Sequence, residues 1–163
     1  CSSEQMPFIT KKFKNYISFA EASVEDILGE EKWANSLHYQ VKNLSSICLI
    51  NNGNGEFEKI QLPIEAQFSP IMNFAIADID QDQSPEIIAI GNLYPTEVET
   101  TRYDASIGIV LKYNKGKFDV IHNSKSGIII HGDSKDSKII NVNNNKTLIV
   151  TNNDGPLTLF KIK

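Results

Sequence analysis

Between two apolar, β-branched runs, the stretch "FAIADIDQDQSPEIIAIGN" carries Asp78, Asp80, Asp82 and Glu86. Carboxylates at positions 1, 3, 5 and 9 of a tight loop are the arrangement that wraps oxygen ligands around a hard cation, and the carbonyl of Ser84 falls at position 7. Oxygen-only ligands select Ca2+ over zinc or copper, and a flexible set with room for about seven ligands favours it over the smaller Mg2+. An EF-hand is excluded, because position 12 is Ala89 rather than a bidentate Glu and the flanks read as strands, not helices. Position 6 is Gln83, where a glycine would make the sharp turn at low cost. Without a cation the four acids would repel one another, and the cost would fall on the hairpin. The competing reading is an ordinary solvated acidic turn.

A second charged segment, "YPTEVETTRYDAS", is too long for a simple connection and holds Glu97, Glu99, Arg102, Tyr103 and Asp104. Long loops on rigid β scaffolds are where binding concentrates. The structural alternative is that Arg102 pairs with Asp104 and that Tyr103 anchors the loop. Glu97 or Glu99 with Asp104 would also supply the two acids of a glycoside hydrolase, so a propeller-type carbohydrate-active enzyme is the alternative to a non-catalytic role. His38, His122 and His131 have no spacing that suggests a zinc site or a triad, and no Gly-x-Ser-x-Gly turn or phosphate loop occurs. The leading expectation is a binding or scaffold module without catalysis.

The elements that must position these residues are mostly strands. From Tyr39 onward, runs of five to eight residues such as "SSICLI", "EFEKIQL", "MNFAIAD", "EIIAIGN", "SIGIVLKY" and "KTLIVTN" alternate with Gly, Asn and Asp clusters. "NNGNGEF" and "YNKGKF" are Gly-containing hairpin turns, and the acidic stretch is echoed by "SKIINVNNNKTLIVTNNDG". The expected class is therefore mainly β: half a unit over 45–62, a full four-stranded unit over 70–122 and an incomplete one over 135–163. A spacing of about fifty residues per antiparallel four-stranded meander is that of β-propeller blades, so residues 39–163 read as a partial propeller. A small sandwich of about nine strands fits the same alternation.

Residues 1–38 form a helical lead-in, with Ile9, Phe13, Tyr16, Ile17 and Ala20 at helix spacing and Pro7 suited to a first turn. Ser23 three residues before Asp26 predicts a capping box, and Gly29 a stop. Phe13, Tyr16 and Trp33 are expected to pack as the core of these short helices.

A chain of 163 residues, 40% hydrophobic, can bury one ordinary core. Its net charge of −4 and scattered 16 basic residues argue against a nucleic-acid partner. No apolar stretch approaches the roughly 20 residues of a membrane helix. Cys48 reads as a small buried hydrophobe. "CSSE" looks like the start of a processed bacterial lipoprotein, and it also fits a fragment boundary.

"ADIDQDQSPEIIAIGN" resembles an FG-GAP/VCBS-type repeat, whose propeller blades carry a D-x-[DN]-x-D-G-x-x-D loop that binds Ca2+. The resemblance implies side-chain ligation by Asp78, Asp80, Asp82 and Glu86, with Glu where the family usually has Asp. The corresponding "NVNNNKT" has Asn141, Asn143 and Asn145 but no carboxylates, which implies a lost site there. "AQFSP", "GNLYPTEVETTRYDAS" and "NNDGPLTLFK" together resemble the C-terminal region of secreted bacterial proteins that combine VCBS repeats with an ASPIC/UnbV module, relatives of cartilage acidic protein. This likeness covers the chain from about Gln5 and makes the helical stretch an insertion. It implies an extracytoplasmic protein, secreted or a surface lipoprotein. Its partners would be upstream blades of the same chain and a surface protein or polysaccharide.

Overall fold

Among the described residues nine strands carry the fold, within the runs where the alternation of apolar and polar residues placed them. The structure, a computed structural model, describes residues 2–162, so the expectation attached to Cys1 lies outside the described residues. The chain divides into two units, residues 1–43 and 44–163.

The first unit holds five short helices: α1 (Ser2–Gln5), α2 (Phe8–Lys12), α3 (Tyr16–Ala20), α4 (Val24–Leu28) and α5 (Glu30–Ala34). The expected capping box forms, with the Ser23 hydroxyl accepting from the Asp26 N–H and Asp26 accepting from the Ser23 N–H. Gly29 ends α4 at φ +86°, a conformation open to glycine without penalty. The continuous apolar stripe does not survive. Asn15 caps a new helix by accepting from the Ser18 N–H, which breaks the period after α2. Tyr16 is consequently 93% exposed and Ile17 is exposed too, so the core role expected of Tyr16 is corrected, while Ile9 is buried. Phe13 meets Phe19 edge-on at 5.5 Å, and Trp33 stacks with His38 at 3.9 Å.

The second unit is mainly β, with three antiparallel sheets. A two-stranded sheet pairs β1 (Ile47–Gly53) with β2 (Glu56–Gln61). A four-stranded meander follows: β3 (Asn73–Ala77), β4 (Glu86–Ile90), β5 (Ile109–Asn114) and β6 (Lys117–Ile121), in that spatial order. A three-stranded meander closes the unit with β7 (Ser134–Val142), β8 (Asn145–Asn152) and β9 (Thr158–Lys161); the short helix α6 (Asn123–Ser126) precedes it. Three sheets, not two, exclude a simple sandwich for the described residues.

Strand alternation sorts the apolar side chains into two cores. Ile88 and Ile90 of β4 join Ala75, Ala77 and Val110 on one face, where Leu148 and Val150 of β8 meet them. Ala89, Ile109, Leu111 and Phe118 occupy the other face with Ile60 of β2, and Cys48 and Ile50 of β1 pack against them. Cys48 is free and packs against this core, but it is half-buried rather than buried as expected, because it lies on the two-stranded sheet at the core's edge. β4 is covered on both faces, which is why it reads as an unbroken apolar run. The four-stranded sheet thus lies between the other two. β3 also runs beside β7, where the Ser137 hydroxyl is hydrogen-bonded to Asn73 Oδ1 at 3.0 Å.

Candidate functional site

The acidic loop, residues 78–85, joins β3 to β4. Glu86 begins β4 on the same face as Ile88 and Ile90, so strand geometry carries its side chain inward at the end of the core. It is wholly buried. One of its oxygens, Oε2, accepts from the Ile79 N–H at 2.7 Å. The other, Oε1, has no hydrogen-bond partner, and neither has the buried Oδ1 of Asp78.

The loop's acids also organise its backbone. Asp78 Oδ2 accepts from the Gln83 N–H at 3.0 Å, and Asp82 Oδ1 accepts from the Ser84 N–H at 2.9 Å. Gln81 and Gln83 sit at φ +63° and +70°, so Gln83 adopts the left-handed turn for which glycine is the low-cost residue.

Of the residues expected to ligate, Asp78, Asp80 and Glu86 come together, each offering an oxygen within 4.8 Å of the others. That trio could hold a metal ion. Asp82 stands outside it and Ser84 enters the loop through its N–H.

A cation that sequence reasoning missed is already present in the loop. Lys112 of β5 brings its Nζ to 2.5 Å from both Asp80 Oδ2 and Asp82 Oδ2, and to 3.4 Å from Glu86 Oε1. The register that pairs Ile87 with Leu111 places Lys112 directly across from Glu86. Asp80 first, then Asp82, hold this ammonium charged well above the ordinary lysine range. In return Lys112, with the Ser84 N–H, keeps the Asp82 carboxyl below the usual carboxylate range. The available signal was phase: Lys112 shares the inward phase of Val110, an unusual place for lysine. Beside Asp78 a groove of about 580 Å3 is bordered by Gln81, Asn144, Asn145, Lys146 and Lys161. The asparagines belong to the β7–β8 turn, where Asn143 and Asn144 take φ +49° and +63° in a tight hairpin without acids.

In the second charged segment, Arg102 Nε donates to Asp104 Oδ2 at 2.7 Å, and the guanidinium lies 4.4 Å from the centre of the Tyr94 ring. Tyr103 pairs with Leu93 through both backbone hydrogen bonds. The loop is therefore tied down. With Arg102 56% and Asp104 42% exposed, however, the pair contributes no more than about 1 kcal/mol. Glu97 and Glu99 are exposed. The groove of about 710 Å3 beside Tyr94 and Pro95 is lined by His131, Asp133 and Asn152–Gly155, and Glu97, Glu99 and Asp104 do not border it. The paired acids of the enzyme alternative are thus not assembled there.

Asp133, almost wholly buried at that groove, was not anticipated. Burial opposes its ionisation, but Lys135 at 2.6 Å, Asn153 and the Tyr94 N–H outweigh it and hold the carboxyl below its ordinary 3.8. A folded-state value below the unfolded one stabilises the fold above about pH 4, and that stability is lost as pH falls through the folded value. Thermal unfolding from about pH 5 to pH 2 should therefore show a smaller loss of midpoint in Asp133→Asn than in wild type. Parallel pH profiles for the two would refute the assignment.

No helix among the described residues is long and apolar enough to cross a membrane. Comparison with protein-family models, with curated proteins and with solved structures finds no match.

Proposed function

We propose that residues 44–163 are part of a β-propeller that serves as a non-catalytic, extracytoplasmic binding or scaffold module, with one structural Ca2+ held by the acidic loop. The observation that carries the cation reading is a pair of buried carboxylate oxygens without a hydrogen-bond partner, Asp78 Oδ1 and Glu86 Oε1, the latter facing only the Lys112 ammonium at 3.4 Å, in residues that come together with Asp80. Buried acceptors without a hydrogen bond are costly, and a hard cation satisfies several such oxygens at once. When bound, the ion would neutralise the cluster and fix the β3–β4 turn; Asp78, Asp80 and Glu86 would hold it.

The propeller reading is supported by sheet order. Successive antiparallel meanders packed face to face, with their first strands β3 and β7 adjacent, are how blades are arranged. The outer faces remain apolar in places. Leu49 and Phe57 on the two-stranded sheet and Leu157 and Leu159 around β9 are exposed, as blade surfaces awaiting a neighbouring sheet would be. The partners proposed are therefore further blades, and beyond them a surface protein or polysaccharide.

Ca2+ at about a hundred times its dissociation constant should stabilise the β unit by about 2.7 kcal/mol, because only the folded loop assembles the ligands. Affinity at the extracellular end of the range, about 10⁻⁴ to 10⁻³ M, is expected. Thermal unfolding in Ca2+, in Mg2+ and in chelator, on wild type and on Asp78→Asn with Asp80→Asn, tests this. Equal midpoints for wild type in all three solutions would leave the cluster as a turn neutralised by lysine alone.

A further inference from the structure

We propose that Lys112 is a tethered counter-ion of the acidic loop, so that a divalent cation binds only by displacing its ammonium and Lys112 sets the affinity of the site. This rests on the cation reading above. The oxygens that Lys112 engages, on Asp80, Asp82 and Glu86, include those of two members of the metal-holding trio. An ammonium 2.5 Å from Asp80 uses the lone pairs that a Ca2+ ion would need at about the same distance. Two cations cannot share them in so small a space, since the trio's ligand atoms all lie within 4.8 Å.

The device is built to move. The Lys112 backbone is fixed in β5 by pairing with Asp119, whereas its four-carbon stem ends in a freely rotating head. Its side chain is 26% exposed, so the head has a path to water. The neighbouring lysines, Lys146 and Lys161, border the groove beside Asp78 and raise the local positive potential without holding the acids. In the absence of metal, Lys112 partly neutralises the loop and keeps it folded. Metal binding exchanges one positive charge for two and releases the side chain.

The test measures Ca2+ binding to the intact chain by calorimetry, for wild type, Lys112→Gln and the control Lys117→Gln, whose lysine pairs with Asp119, outside the acidic loop. Lys112→Gln should bind Ca2+ about tenfold tighter or more, since a competing charge at contact distance is removed, and Lys117→Gln should match wild type. In wild type, labelling by an amine-reactive reagent should rise at Lys112 when Ca2+ is added, a readout that does not depend on any variant folding. If wild type binds Ca2+ while Lys112→Gln binds no tighter, or Lys112 labelling fails to rise, the displacement is overturned and the cation site stands. If neither wild type nor Lys112→Gln binds Ca2+, the cation reading itself fails and takes this inference with it.

Discussion

Gly91→Ala is expected to cost on the order of 4 kcal/mol or more and to leave much of the β unit unfolded at physiological temperature. A Cβ on Gly91 would lie 2.0 Å from the Pro70 carbonyl oxygen and 2.5 Å from the Met72 nitrogen. Both obstacles are backbone, and neither can rotate away. The segment is held in place by its own hydrogen bond, from the Met72 N–H to the Ile90 carbonyl at 2.8 Å. Just beyond, Asn92 is almost wholly buried and clamps Ser106 and Gly132 through its amide, while its carbonyl accepts from Lys135. A shift at position 91 would disturb all of these contacts together. Gly116→Ala supplies the control, because Gly116 sits at φ +87° in a turn with nothing near its missing Cβ. It should cost only about 1 kcal/mol, the conformational term alone. Chemical denaturation of both variants checks the pair, and similar small losses would show that the chain around Gly91 relaxes more easily than its hydrogen bonding implies.

That contrast shows where a sequence yields its fold and where it does not. Strands such as "EIIAI" and "TLIVT" announce themselves by apolar content and β-branching, and the turns "NGNG" and "NKG" by residues that accept positive φ. The role of Gly91 is invisible at that level, since "IGN" after a strand looks like any exit, and only the approach of residues 70–72 makes the glycine obligatory. The helical unit failed differently. A period that ran through Phe13 and Tyr16 was broken by the Asn15 cap, a local hydrogen bond that outweighs a continuous stripe.

For the site, spacing alone was enough to bring Asp78, Asp80 and Glu86 together, because all three lie within one loop and the first residue of the following strand. Lys112 lies 26 residues beyond Glu86, and its arrival depends on the β4–β5 register, which alternation by itself does not specify. Asp133 is similar: Lys135 is local, but its other partners come from residue 94 and from beyond β8. Chemistry confined to one hairpin was readable. Chemistry assembled across strands needed the register.

Glu86 is where these two kinds of information meet, and its substitution carries the second large effect. Glu86→Ala should cost about 3 to 5 kcal/mol, combining a cavity at a wholly buried position with the loss of the acceptor for the Ile79 N–H. Glu86→Gln separates the contributions. Its amide oxygen can still accept from Ile79, and its volume is nearly unchanged, so about 1 to 2 kcal/mol should be lost, chiefly through the missing charge near Lys112. Both variants remove one member of the trio, so both should lose most of the stabilisation proposed for Ca2+ in wild type, although their intrinsic stabilities differ. Denaturant unfolding of each variant with Ca2+ and with chelator gives the two quantities independently. If Glu86→Gln keeps the full Ca2+ response, the carboxylate is a structural tie between β4 and the loop and the cation is held elsewhere. If Glu86→Ala and Glu86→Gln are equally mild, Ile79 finds another acceptor, and the turn owes its shape to the Asp78, Asp80 and Asp82 contacts alone.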